Sequence, residues 1–157
     1  MKPFISLILL IFSLNLLAQE ENIDDVAKMI RESQMKDETI DWVYFGAYNW
    51  TIQGIDNSTS AQLRIKDNTT VRMYLLAKTE CYMFFHVRDQ KESYVFGTSD
   101  PISLETDVLG FKAATSMYTY QESALMNINF GLSWGCEQMI GTEFRLLVFY
   151  ANKKVTK

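Results

Sequence analysis

The chain predicts a mainly β fold: an antiparallel two-sheet sandwich, jelly-roll-like, preceded by one short amphipathic helix. Two observations lead there. After Asp41 the apolar period switches from helical to two, and about eight strand-like segments follow at spacings of roughly 8–12 residues. Aromatic residues make up 13% of the chain, with eight Tyr, ten Phe and three Trp, and such rings favour pleated, half-buried surfaces. Two Pro and seven Gly are few for a loop-built fold, and no repeat or low-complexity block is visible.

Residues 1–18, MKPFISLILLIFSLNLLA, have the layout of a secretory signal peptide: Lys2, an apolar run from Phe4 to Leu14, then Leu16, Leu17 and Ala18 at the cut. The run is shorter than the ~20 residues that span a bilayer, and Glu20, Glu21, Asp24 and Asp25 follow at once. The expectation is a cleaved leader, no stable membrane span afterwards, and a protein in the periplasm, at the cell surface or outside the cell. Residues 19–40 form an N-terminal helical segment and 41–157 one sandwich domain, of a size that buries roughly two thirds of its extended-chain surface.

Residues 22–36 read as the helix. Asn22 is a good N-cap, Asp24 and Asp25 suit the positive end of the helix dipole, and Ile23, Val26, Ala27 and Ile30 share one face. The segment 42–53 reads as an aromatic strand interrupted by Gly46, a possible bulge site. Residues 54–61 read as a polar loop, and Leu63 and Ile65 as a half-buried strand. Asp67-Asn68 forms a tight turn into the strand 69–77. Residues 81–88 carry bulk on both faces and read as a central strand, followed by a charged turn (89–93) and a strand at 94–97. Asp100 before Pro101 marks a loop, and Ile102 and Leu104 start another strand. Residues 107–125 fit either short strands at Phe111 and Met117–Tyr120 or a helical turn near Gln121–Leu125. Met126 to Trp134 alternate cleanly with Asn127, Asn129, Gly131 and Ser133, and 143–151 closes the fold.

The formal net charge of −4 leaves no electrostatic footprint for nucleic acid. Cys81 and Cys136 are the only cysteines, and an oxidising compartment favours their pairing. The disulfide would be worth roughly 4 kcal/mol in the chain-entropy model. Two cysteines and one distant histidine lack zinc-site spacing, no DxDxDG calcium loop exists around Asp56, Asp67 or Asp107, and no cofactor is implied. His86 is the single histidine, and no GxSxG elbow accompanies it. Asp89, Asp100, Glu105 and Asp107 fall in turns or at strand ends, where two could flank a glycosidic bond or simply face water. Asn49, Asn57 and Asn68 begin three N-x-S/T sequons, which carry meaning only where the source glycosylates them.

The binding clue lies in rings. Trp42, Tyr44, Tyr48 and Trp50 share one side of the first strand if its pairing is unbroken, with a gap at Gly46. A flat row of that kind stacks on sugars; the plainer reading of the same rings is core. The polar side of 126–134, with Asn127, Asn129 and Ser133, could donate hydrogen bonds to a glycan or face solvent.

From Thr70 to Asp100 an apolar strand (VRMYLLA), a bulky alternating strand (CYMFFHVRD), a turn and a further strand (YVFGTSD) follow one another. In this the chain resembles secreted bacterial pre-peptidase C-terminal-type β-sandwich modules. The resemblance implies a non-catalytic jelly-roll-like accessory domain tied to secretion, adhesion or substrate binding. It departs where such modules carry an acidic D-x-D-like strand: here Cys81-Tyr82-Met83-Phe84 stands. It implies no functional residue. The function expected is that of a secreted, non-enzymatic sandwich protein that binds a carbohydrate or an extracytoplasmic (envelope) protein. The alternatives are a small hydrolase with paired carboxylates, or an assembly subunit that pairs through a sheet edge.

Overall fold

The computed structural model describes residues 22–54, 56–99, 104–133 and 140–152. The leader, Asp100, Trp134 and Cys136 lie outside the described residues.

Helix α1 (Ile23–Met35) starts where the capping pattern placed it. The Asn22 side chain accepts a hydrogen bond from the Asp25 backbone N–H at 3.0 Å, satisfying one of the donors that a helix start leaves open. Among the described residues nine strands follow: β1 (Val43–Thr51), β2 (Ser58–Ile65), β3 (Thr69–Ala77), β4 (Met83–Arg88), β5 (Tyr94–Gly97), β6 (Leu104–Val108), β7 (Phe111–Tyr120), β8 (Ala124–Leu132) and β9 (Glu143–Asn152). All pairs are antiparallel. They form a five-stranded sheet ordered β1-β9-β3-β7-β6 and a four-stranded sheet ordered β2-β8-β4-β5. The chain passes from one sheet to the other at most connections, which is the jelly-roll arrangement, with β6 added to one edge through its hairpin with β7.

The main core lies between the sheets. Inward residues of β3 (Val71, Met73, Leu75), β4 (Met83, Phe85, Val87), β8 (Met126, Ile128, Phe130, Leu132) and β9 (Phe144, Leu146, Val148) are all nearly inaccessible to water. Strict period-two alternation produces this, because successive side chains of a strand point to opposite faces. A second core lies on the outer face of the five-stranded sheet, where α1 sets Ile23, Val26 and Ala27 against Trp42, Leu76, Phe111, Ala113, Leu147 and Phe149. The molecule is therefore layered helix, sheet, sheet. An ion pair between Asp24 and Arg145 joins the first helical turn to β9. The buried Gln34 carbonyl oxygen accepts from Tyr74 Oη at 2.6 Å and from Arg72 Nη1 at 3.1 Å, tying the last helical turn to β3.

Three local expectations change. The polar stretch 58–61 is not loop but the start of β2, because β2 is an edge strand whose outward side chains face water. The Asp67–Asn68 turn exists, with Asn68 at φ 50°, yet it carries the chain between sheets and does not close a hairpin. Residues 111–120 form one ten-residue strand rather than short strands or a helical turn. Its Ala, Thr and Ser residues give little periodic signal, and it is fixed between β3 and β6 by a tight turn at Leu109 (φ 54°) and Gly110 (φ 79°). None of the described helices is long and apolar enough to cross a membrane.

Candidate functional site

The rings of Trp42, just before β1, and of Tyr44, Tyr48 and Trp50 on it do not form a row. A bulge between Tyr44 and Gly46 inserts Phe45 as an extra residue opposite β9 and reverses the faces of the strand. Before it, Trp42 and Tyr44 lie under α1: Trp42 is buried beneath the Arg72 guanidinium, 5.0 Å from its ring, and Tyr44 contacts Phe149 at 5.4 Å. After it, Tyr48 and Trp50 turn into the gap between the sheets. Trp50 stacks on Phe144 at 5.4 Å and meets Phe130 edge-on at 6.5 Å. The pairing is broken, so the flat platform that an unbroken strand would present is absent, and these rings serve mainly as core.

A different surface collects polar groups. On the outer face of the four-stranded sheet, β8 presents Asn127 and Asn129, the residues between its buried Met126, Ile128 and Phe130. Cross-strand register places Ser60, Asn129 and His86 in one row and Gln62, Asn127 and Arg88 in the next. Facing side chains on adjacent strands are close enough to interact directly. Gln62 Nε2 donates to Asn127 Oδ1 at 3.1 Å, and Asn129 Nδ2 donates to Ser60 Oγ at 3.3 Å and to the Thr59 carbonyl at 3.2 Å.

The β4–β5 turn walls one side. Asp89 Oδ1 accepts from the backbone N–H groups of Lys91 (2.8 Å) and Ser93 (2.9 Å), an Asx-type arrangement that bends the chain back. Glu92, at φ 61°, is thereby held over the sheet, where its carboxylate accepts from Asn127 Nδ2 at 3.0 Å and its carbonyl accepts from Arg88 Nη1 at 2.8 Å. The result is a polar groove of about 410 Å³ lined by Ser60, Gln62, Arg88, Glu92, Asn127 and Asn129, with Ala61 at its margin. Rings border it. His86 lies 5.1 Å from Phe84 and 5.7 Å from the exposed Tyr94, with its Nε2 3.3 Å from Ser99 Oγ.

Within this groove the amides are held but not saturated. Each side-chain amide has two hydrogens and two acceptor sites, and Gln62 Oε1 and Asn129 Oδ1 have no donor among the described residues. Glu92 is the single carboxylate among the groove's lining residues. Of the other acids, Asp89 is engaged by turn amides, Asp107 stands on β6 in the opposite sheet, and Asp100 and the Glu105 side chain lie outside the described residues. No cluster of three or more metal-ligating side chains occurs among the described residues.

Partial burial, and then the neighbouring Arg88 charge, hold His86 below its ordinary value of 6.5. A depressed histidine binds its proton more readily unfolded than folded, so stability falls as pH drops below about 6.5 and the loss levels off below the folded-state value. His86→Asn should flatten that slope in thermal melts between pH 7.5 and 5, while a slope unchanged by the substitution would place its origin elsewhere. The effect should be small, because the ring is only partly buried and solvent screens its charge.

Sequence reading found Asn127 and Asn129 through the alternation of β8, and placed Ser133 with them. Ser133 lies beyond the groove, its backbone N–H donating to the Tyr82 carbonyl at 2.8 Å. It missed Ser60, which fell in a supposed loop, and Glu92, which only the turn geometry brings over the sheet. Gln62 was missed as well: it falls between the supposed loop and Leu63, and nothing local marks its neighbour across the sheet.

No protein-family model matches this chain, and no curated protein does. Among solved structures it is similar to a lipase of Bacillus licheniformis crystallised in its propeptide form, at 7% identity and a TM-score of 0.46. The likeness covers 69% of this chain and 22% of that one, so the chain spans about a fifth of the lipase's length.

Proposed function

We propose that this protein is a secreted, non-catalytic sandwich module that binds a neutral glycan in the polar groove of its four-stranded sheet. The observation that carries the reading is the double row of amide and hydroxyl side chains, fixed by mutual hydrogen bonds, with unfilled acceptors and a border of rings. Sugars are recognised by that combination: planar amides meet vicinal hydroxyls, and ring faces meet C–H groups. Arg88 and Glu92 are coupled to the same turn and offset each other in charge, which favours an uncharged ligand. A single groove carboxylate argues against a hydrolase of the paired-acid kind, whose chemistry needs two. Export rests on the leader, and an accessory role of the kind filled by pre-peptidase C-terminal-type modules belongs to the same proposal.

A disulfide between Cys81 and Cys136 is part of this reading. The hydrogen bond from Ser133 to Tyr82 brings the end of β8 beside Cys81, three residues before Cys136.

The test is a glycan array followed by titration of the best binder. Asn129→Ala should weaken binding roughly fivefold to tenfold, the scale of one or two net hydrogen bonds, with the melting temperature little changed. An array and an envelope-extract pull-down that both return nothing would remove the proposal.

A further inference from the structure

We propose that the cleft between the edge strands β1 and β2 is a second ligand site, built for an apolar carboxylate of the fatty-acid class. It lies at the opposite margin of β2 from the groove, with Gln62 the one residue that lines both. The cleft measures about 550 Å³, within the range of small-molecule pockets (~300–1,000 Å³).

Its walls are apolar and come from both sheets. The bulge at Phe45 sets Val43, Phe45 and Tyr48 along the same opening, with Tyr150 of β9 behind Phe45 at a ring distance of 4.9 Å and Leu63 of β2 opposite. Val43 and Phe45 remain 54% and 53% exposed, which is unusual for large apolar side chains that a strand could have turned inward. Gly46, which follows the bulge, adds no side chain to the opening: a Cβ there would meet no heavy atom within 4 Å. Tyr48 Oη donates to the Gln62 carbonyl at 2.7 Å and so bridges the two edge strands.

The rim is cationic. Arg64 and Lys66 both line the cleft, and neither has a carboxylate partner among the described residues. The nearest acid in sequence, Asp67, is held by Asn68 Nδ2 at 3.4 Å and belongs to the turn. In a chain of net charge −4, these two neighbouring cations give the apolar opening a local positive charge. Tyr150 Oη also has no acceptor among the described residues; as a phenol it is protonated at neutral pH, and burial, then Tyr48, pushes its value further above the ordinary 10. An exposed ammonium and guanidinium, with a phenol hydroxyl among the lining groups of an apolar slot, suit a carboxylate head with an acyl body.

The experiment is calorimetric titration of the full chain with decanoate below its aggregation concentration, and separately with phosphatidylglycerol vesicles, at about 0.15 M salt. Saturable binding of one decanoate is expected, with decanol at least tenfold weaker. The double variant Arg64→Glu/Lys66→Glu and the single variant Phe45→Ser should each weaken decanoate at least tenfold. All three residues are exposed, so melting temperatures should stay close to the parent's and report that the variants fold. Asn129→Ala should bind decanoate normally, which separates failure of this site from failure of the groove. Absence of saturable decanoate binding would overturn the proposal, as would indifference to charge reversal or binding to vesicles alone. So would a dimer that Phe45→Ser dissociates, because a second copy would then fill the cleft.

Discussion

Phe130→Ala should destabilise the fold by about 3–5 kcal/mol, the range for removing a fully buried phenylalanine ring. Phe130 is 1% exposed and sits on β8, which pairs with β2 on one side and β4 on the other. Its ring meets Trp50 of the opposite sheet edge-on, so the two sheets lose contact at the same point at which a cavity opens. Typical domains have only about 5–15 kcal/mol in hand, so the variant should approach the limit of folding at 37 °C. Urea unfolding checks it: the midpoint should fall sharply with the slope retained. A loss below about 1 kcal/mol would mean that the sheets do not meet through this ring.

Gly131→Ala, one residue on, should cost a similar amount for the opposite reason. A Cβ at Gly131 would lie 2.1 Å from the Asn57 carbonyl oxygen and 2.6 Å from Ser58 Cα. These are backbone atoms, which cannot swing aside as a side-chain tip can. Overpacking costs about 1–3 kcal/mol when side chains can adjust, and a backbone collision should reach or exceed the upper end. To relieve it the start of β2 must lift from β8, breaking the Leu132 N–H bond to the Asn57 carbonyl and drawing Ser60 away from Asn129. Glycan affinity and stability should therefore fall together, and hydrogen exchange should quicken along β2. Gly46→Ala is the control. It meets open space and should change stability little.

These two glycines show how unevenly the sequence could be read. Gly46 stood out because it interrupted a run of rings, and a bulge does lie there, although the extra residue is Phe45. That single insertion decides where four aromatic rings go. Alternation assumes unbroken pairing, and one additional residue sends everything beyond it to the other face. Gly131 looked like one more small residue on a polar face, because the reason for its size is the crossing of Asn57 and Ser58, more than seventy positions away in the chain.

The two-sheet architecture, the helix and the inward face of β8 were legible, since each depends on local periodicity or capping. The strand β7 was not, because a strand rich in Ala, Thr and Ser is specified by its neighbours more than by its own pattern. Only two of the groove's six polar residues were legible, for the same reason: Asn127 and Asn129 follow from the period of their own strand. Ser60, Gln62, Arg88 and Glu92 join them only through register across three strands and a turn.

The most direct test of the groove is an NMR titration that follows side-chain amide signals as the best array glycan is added. The account predicts that the amide resonances of Gln62, Asn127 and Asn129 shift together and saturate, with Tyr94 ring signals moving alongside. Shifts confined to β1 and the 43–50 rings, with the Asn127 and Asn129 amides unmoved, would contradict it.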